Sequence, residues 1–169
     1  IVTENNIDLP KFTRYLCGQK RVGHFLGVYK IVKYFFSIVN PDFACFGKKD
    51  FQQLLLIKYL ANTYFPKTRI IDVDTVRDAN KIALSSRLNR LSKESLSSTC
   101  IIYETLHNMK SELLEGATFD RLKEKSIEYL ESNGIHVEYL DVRSLITLEE
   151  ATDKLKSCGI FIACHLDDV

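Results

Sequence analysis

Apolar side chains recur at Phe25, Val28, Val32, Phe35, Phe36 and Val39, three or four positions apart, with Lys30, Lys33 and Ser37 on the other side. A helix stacks positions of that spacing on one face, so the pattern predicts a helix buried along one side. Asn40-Pro41 ends it, because proline disfavours helical backbone in the residue before it. Phe43-Ala44-Cys45-Phe46 lies between Pro41-Asp42 and Gly47 and reads as a short buried strand. A second helix is predicted over residues 50–64, with Phe51, Leu54, Leu55, Ile57 and Leu60 facing inward. Residues 68–76 alternate and are rich in β-branched side chains, which predicts a second strand. Helix, strand, helix, strand in close succession predicts an α/β fold with a parallel sheet and crossover helices. Ahead of these elements, residues 11–17 are expected to form a short helix stopped by Gly18.

After Arg87 the pattern changes. Leu96, Cys100, Tyr103, Leu106 and Leu113 predict one long helix over 93–114, and Phe119, Leu122, Ile127 and Leu130 predict another. Gly116 separates the two, and Asn133-Gly134 closes the second. Residues 135–142 and 159–166 then read as strands, and a domain boundary is expected between Val76 and Leu91.

With 169 residues, 46% of them hydrophobic, the chain can form one compact domain or two small ones. The net charge of +1 selects no partner, but the first third is basic. Lys11, Arg14, Lys20, Arg21, Lys30, Lys33, Lys48 and Lys49 face only Glu4, Asp8 and Asp42 there. That suits an anion, and RNA and a nucleoside triphosphate both fit on charge alone. The five cysteines are scattered without a C-x-x-C pair, which predicts reduced, buried thiols in a cytoplasmic protein and no metal site. No apolar run is long enough for a membrane span and no signal peptide is visible. The only methionine is Met109, so the chain is expected to be a piece of something longer or a processed product.

Two segments carry candidate chemistry. Gly47-Lys48-Lys49-Asp50-Phe51-Gln52-Gln53 sits where a predicted strand hands over to a helix, the position at which open α/β sheets bind ligands. There Gly47 clears space, Lys49 can reach phosphate and Asp50 can accept from ribose hydroxyls. Equally, Asp50 can simply cap the helix while Lys48 and Lys49 are solvated. In the second segment, Leu84-Ser85-Ser86-Arg87, two hydroxyls beside a guanidinium suit phosphate oxygens, or a helix-entry cap. Arg21 and His24 flank Gly23 and can present positive charge to a pocket or support the loop. His107, His136 and His165 lack partners at ligand spacing, and Tyr29, Tyr34, Phe35 and Phe36 are expected mostly in the core.

In order and spacing these segments resemble the second half of the pantothenate synthetase family, the pantoate–β-alanine ligases. That family carries R-P-G-H-F-x-G-V, then G-E-K-D-Y/F-Q-Q, then T-V-R leading to S-S-R-N. Here they stand as Arg21 to Val28, Gly47 to Gln53, and Thr75-Val76-Arg77 leading to Leu84-Ser85-Ser86-Arg87, with Ile38 to Asp42 also fitting. The likeness is dense over residues 15–91 and looser beyond. It implies the later part of a Rossmann-like nucleotidyltransferase domain over 1–80 and a smaller C-terminal domain over 81–169, acting as a homodimer. It implies ATP-dependent condensation of (R)-pantoate with β-alanine through a pantoyl adenylate, with Mg2+ on the phosphates. By position, Gly47, Lys48, Lys49, Asp50, Val76, Leu84, Ser85, Ser86 and Arg87 would contact ATP. Gln53 would hold pantoate, and Lys49 and Arg87 would stabilise the reacting phosphates.

The chain departs from the family at Lys48 (glutamate in the family), Val22 (proline) and Leu88 (asparagine). The family's H-x-G-H segment, with its catalytic histidine, would lie upstream, so this chain alone is expected to be inactive. Two rival readings remain from the residues, a basic nucleic-acid-binding module using Lys11 to Lys49 and a non-catalytic homologue.

Overall fold

The computed structural model describes residues 7–151 and 157–167. The chain divides into two compact units, Ile1–Thr75 and Val76–Val169. In the first, a 3-10 turn (Lys11–Arg14) and a single helical turn α1 (Cys17–Lys20) lead into the long helix α2 (His24–Val39). Strand β1 (Phe43–Gly47), helix α3 (Phe51–Tyr64) and strand β2 (Arg69–Val73) follow. β1 and β2 pair in parallel, Phe43 opposite Arg69 and Gly47 opposite Val73, with α3 as the crossover. Parallel neighbours cannot be joined by a tight hairpin, so the helix between them is obligatory.

Phe25, Tyr29, Leu56 and Leu60 form one buried cluster between α2 and α3, and Phe36, Ile57 and Ala61 form a second against the sheet. α2 ends as the sequence predicts, with Asn40 left-handed (φ 46°) ahead of Pro41. Its apolar stripe is only partly buried, however. Phe35 (54% exposed) and Val39 (66%) stand outside the core, with Ile31, Tyr34 and Ile38 beside them. Phe25 and Phe36 of the same stripe are buried against α3 as expected, and Leu56, not singled out by the pattern, is fully buried. β2 stops at Val73, short of the predicted 76.

Gly18 does not stop a helix, contrary to expectation. It lies inside α1, after Leu16, whose positive φ (45°) breaks the chain between the two turns. A Cβ on Gly18 would sit 1.8 Å from the Thr13 carbonyl oxygen, so the glycine is there for close backbone approach.

The second unit contains α4 (Lys93–Ser98), α5 (Cys100–Leu114), α6 (Phe119–Ser132) and an antiparallel pair, β3 (His136–Ser144) and β4 (Cys158–His165). The predicted helix over 93–114 is interrupted at Thr99. Ser97 and Ser98 hydroxyls both donate to the Glu94 carbonyl, and Thr99 Oγ1 donates to Leu96 O. Hydroxyls that compete for helix carbonyls weaken a continuous ladder. α6 ends in a Schellman turn: Gly134 N–H donates to Glu131 O and Ile135 N–H to Leu130 O. Ile135 is therefore a cap residue, not part of the strand predicted over 135–142, and it packs on Leu130 with Leu166. Met109, Leu113, Leu122, Leu140 and Val142 form the main core between the helices and the sheet. Among the described residues, no helix is long and apolar enough to cross a membrane.

Asp167 ties the far end of this unit to its start. Its carboxylate accepts from Ser92 N–H (3.0 Å) and from the Ser95 hydroxyl (2.7 Å), and the Ser92 N–H first, then Ser95, hold its pKa below the ordinary value. A depressed folded pKa gives stability that is complete above the unfolded pKa and is lost as pH falls through the folded one. Wild type is thus expected to lose stability relative to Asp167→Asn as pH drops below the usual carboxylate range, the gap being constant at neutral pH; urea melts at several pH values check this. Gly18→Ala is expected to destabilise the first unit by about 1–3 kcal/mol through backbone displacement. Gly27→Ala, where a Cβ on α2 meets nothing within 4 Å, is the control, expected to stabilise by up to about 1 kcal/mol in the same melts.

Candidate active site

β1 delivers Gly47 to the strand's end, a 3-10 turn (Lys48–Asp50) reverses direction, and α3 begins at Phe51. Gly47 is extended (φ −75°), and a Cβ there would meet nothing within 4 Å. Neither its backbone angles nor its packing demands glycine. Lys48 Nζ donates to Asp74 Oδ1 at 2.6 Å, and that bond, reinforced by the Asp74 charge, raises the lysine's pKa. The extra cation at this departure from the family pattern is thus matched by a carboxylate of the same unit.

Lys49 is exposed and makes no ion pair among the described residues. Asp50 occupies the N-cap of α3, yet its side chain makes no capping hydrogen bond. The next two positions diverge sharply. Gln52 is buried (6% exposed), and its Nε2 donates at 2.7 Å to both Phe12 O and Tyr15 O. Gln53, one residue on and about 100° around the helix, is half-buried and has no side-chain hydrogen bond among the described residues. The clamp made by Gln52 was not read from the sequence; its partners lie 40 and 37 positions away. Arg21 is half-buried and His24 exposed at the start of α2, after left-handed Gly23 (φ 80°), with the imidazole edge-on to Phe25 at 4.9 Å.

In the second unit, Arg77 and Ala83 form an antiparallel bridge around a tight loop. Asp78 Oδ1 holds that loop by accepting from the N–H groups of Asn80 (2.9 Å) and Ile82 (2.8 Å). Leu84 N–H donates to Val76 O at 2.9 Å, so two residues eight positions apart in sequence become neighbours. Val76 is 60% and Leu84 54% exposed, a small apolar surface beside the hydroxyl segment. Ser85 caps the 3-10 helix Ser86–Arg90, its Oγ accepting from Arg87 N–H at 3.3 Å. Ser86 and the Arg87 side chain remain exposed, with no ion pair for Arg87 among the described residues. The expected ligand residues are therefore divided between the units, with Arg21, His24, Gly47–Asp50 and Gln53 in the first and Val76 and Leu84–Arg87 in the second.

Strand pairing also brings together what spacing did not. His136 and His165 stand opposite one another across β3 and β4, ring centroids 6.4 Å apart, near Glu131 (3.8 Å) and Glu138 (3.6 Å) respectively. The five cysteines form no disulfide, and none is fully buried, contrary to expectation: Cys45 is exposed and the other four are half-buried. Burial, then Glu138, pushes the Cys164 thiol up to about 12, which leaves it protonated and unreactive.

Comparison with known proteins gives a consistent result. The family model for pantoate-beta-alanine ligase matches residues 2–169. Pantothenate synthetase of Pseudomonas fluorescens (strain Pf0-1) is 36% identical over 164 residues, covering 96% of this chain and 57% of that protein. The Shewanella sediminis enzyme of the same name is 35% identical over 162 residues, covering 96% and 58%. The crystal structure of pantothenate synthetase from Thermus thermophilus superposes with a TM-score of 0.87 at 28% identity, over 97% of this chain and 59% of that one. A Francisella tularensis pantoate-beta-alanine ligase, complexed with beta-gamma ATP and beta-alanine, gives 0.70 at 26% identity, over 97% and 54%. The chain thus spans somewhat more than half the length of these relatives, and it belongs to the pantoate–β-alanine ligase family.

Proposed function

We propose that the protein takes part in ATP-dependent condensation of (R)-pantoate with β-alanine, as the later part of a Rossmann-like nucleotide-binding domain plus a smaller C-terminal domain. One observation carries this reading furthest. Gly47 is a glycine the fold does not need, and directly after it Lys49 and Asp50 have no side-chain partner among the described residues. At a strand end next to a helix N-terminus, that combination fits an incoming anion. Family membership and the ATP and β-alanine bound by the Francisella relative support the same ligands here.

In the proposed reaction a pantoate carboxylate oxygen attacks the α-phosphorus of ATP. The bond to the bridging oxygen breaks and its electrons leave on pyrophosphate. The β-alanine amine then attacks the acyl carbon, and AMP departs with the C–O bonding pair. Such steps need alignment and cations around the phosphates more than a covalent nucleophile. Lys49 and Arg87 supply positive charge to the polyphosphate, and Ser85, Ser86 and nearby main-chain N–H groups donate to its oxygens. The exposed pair Val76 and Leu84 offers an apolar seat for the adenine. Lys48, already held by Asp74, adds less charge than its sequence position suggests. Gln53 turns a free amide toward pantoate recognition while Gln52 holds the scaffold. Magnesium enters as the ion carried by the ATP phosphates. A homodimer, expected from the family resemblance, would have the exposed stripe Ile31, Tyr34, Phe35 and Ile38 on α2 as apolar surface to cover.

Pantoate-dependent ATP–pyrophosphate exchange is the direct test. A protein of the relatives' full length that contains this chain is expected to exchange, and the 169-residue chain alone is not; robust turnover by the latter, or none by the former, defeats the reading. In that full-length protein, Lys49→Ala is expected to slow exchange about 100- to 1000-fold, while its melting temperature stays put. Gly47→Ala is expected to keep or raise stability by up to about 1 kcal/mol yet slow exchange about 100-fold by displacing the nucleotide. Wild-type rates in both variants would remove this junction from the active site.

A further inference from the structure

α5 carries Tyr103, His107, Lys110 and Leu114 at intervals of four, three and four, one stripe along the helix. The Tyr103 and His107 rings are stacked, centroids 6.0 Å apart and planes within 11°. The Arg77 guanidinium lies 4.7 Å from the centroid of the same tyrosine ring. With Val142 of β3 and Ile160 of β4 this stripe lines an open cleft of about 420 Å³, within the volume range of small-molecule sites. Its floor is aliphatic, and its polar side chains are Arg77, His107 and Lys110, Tyr103 and the Cys158 thiol. Among the described residues no carboxylate lines it. Arg77 spends one donor on Lys81 O (3.0 Å), and neither Arg77 nor Lys110 has an ion pair among the described residues.

We propose that this cleft is a second ligand site, for an aromatic carboxylate. Two cations facing a cavity without a neutralising acid select an anion. The stacked planar groups and the aliphatic floor select a flat, apolar body rather than a bare ion. A guanidinium held beside a tyrosine ring and anchored on Lys81 O gives up less freedom when its remaining donors meet a carboxylate. None of the residues assigned above to ATP or pantoate lines the cleft, so this inference stands or falls apart from the ligase reading.

The test is an NMR titration of the 169-residue chain with 2-naphthoate, alongside neutral 2-naphthalenemethanol and acetate. Saturable shifts are expected at Tyr103, His107, Val142 and Ile160 with naphthoate, and weaker binding with either control. Lys110→Glu, an exposed change whose folding circular dichroism verifies, is expected to weaken naphthoate about tenfold or more and to leave the neutral alcohol unchanged. Lys110→Gln, which keeps the stem and loses the charge, is expected to fall between the two. Naphthoate binding no tighter than the alcohol, equal affinity for wild type and both variants, or shifts confined to other residues would overturn the proposal.

Discussion

Two parallel strands cannot meet until the chain has returned from the end of one to the start of the other. That constraint places α3 immediately after β1 and brings the helix's N-terminus to the strand's carboxyl end. Everything proposed for the first unit hangs on this junction. Gly47, Lys49 and Asp50 are where they are because the crossover begins there, and the dipole of α3 gives the same spot a positive bias.

The junction is also braced from behind. The buried Gln52 amide donates to two carbonyls of the 11–15 segment, a pairing that a buried NH2 group strongly favours over remaining unpartnered. Gly18 lets that segment fold tightly on itself, against the Thr13 carbonyl. The consequence reaches the proposed chemistry, because the helix that presents Gln53 is fixed by its neighbour Gln52. In the proposed function two adjacent glutamines would thus divide the work, Gln52 held by the protein and Gln53 offered to a ligand.

The second unit solves a different problem, holding a short irregular loop ahead of its helices. Asp78 pins one end of the loop through two main-chain N–H groups, and Ser85 begins the 3-10 turn at the other. Beside these anchors Val76 and Leu84 are exposed as neighbours, which a folded domain tolerates at little cost for isolated residues. Exposed apolar surface adjoining hydroxyls and a guanidinium is the mixture a nucleotide offers in reverse, a flat base joined to a polyphosphate.

Periodicity and punctuation by themselves determined the α/β character, the main helices, the stop at Asn40-Pro41 and the strand-to-helix position of Gly47, because these depend on neighbours within a few residues. The ordered motifs also carried the family, since a run of spaced residue types survives where single positions drift. What only the tertiary structure decided was everything that depends on remote partners. The binding of Lys48 to Asp74 crosses 26 positions, and the Gln52 clamp crosses 40 and 37. The side of α2 that faces inward was set by where α3 lies, which left Phe35 and Val39 outside despite their spacing. The break at Thr99 came from hydroxyls competing for carbonyls, an outcome that residue type permits but only the folded backbone selects. Local sequence fixes local dihedrals, whereas burial and partnership are properties of surfaces that meet only once the chain has folded.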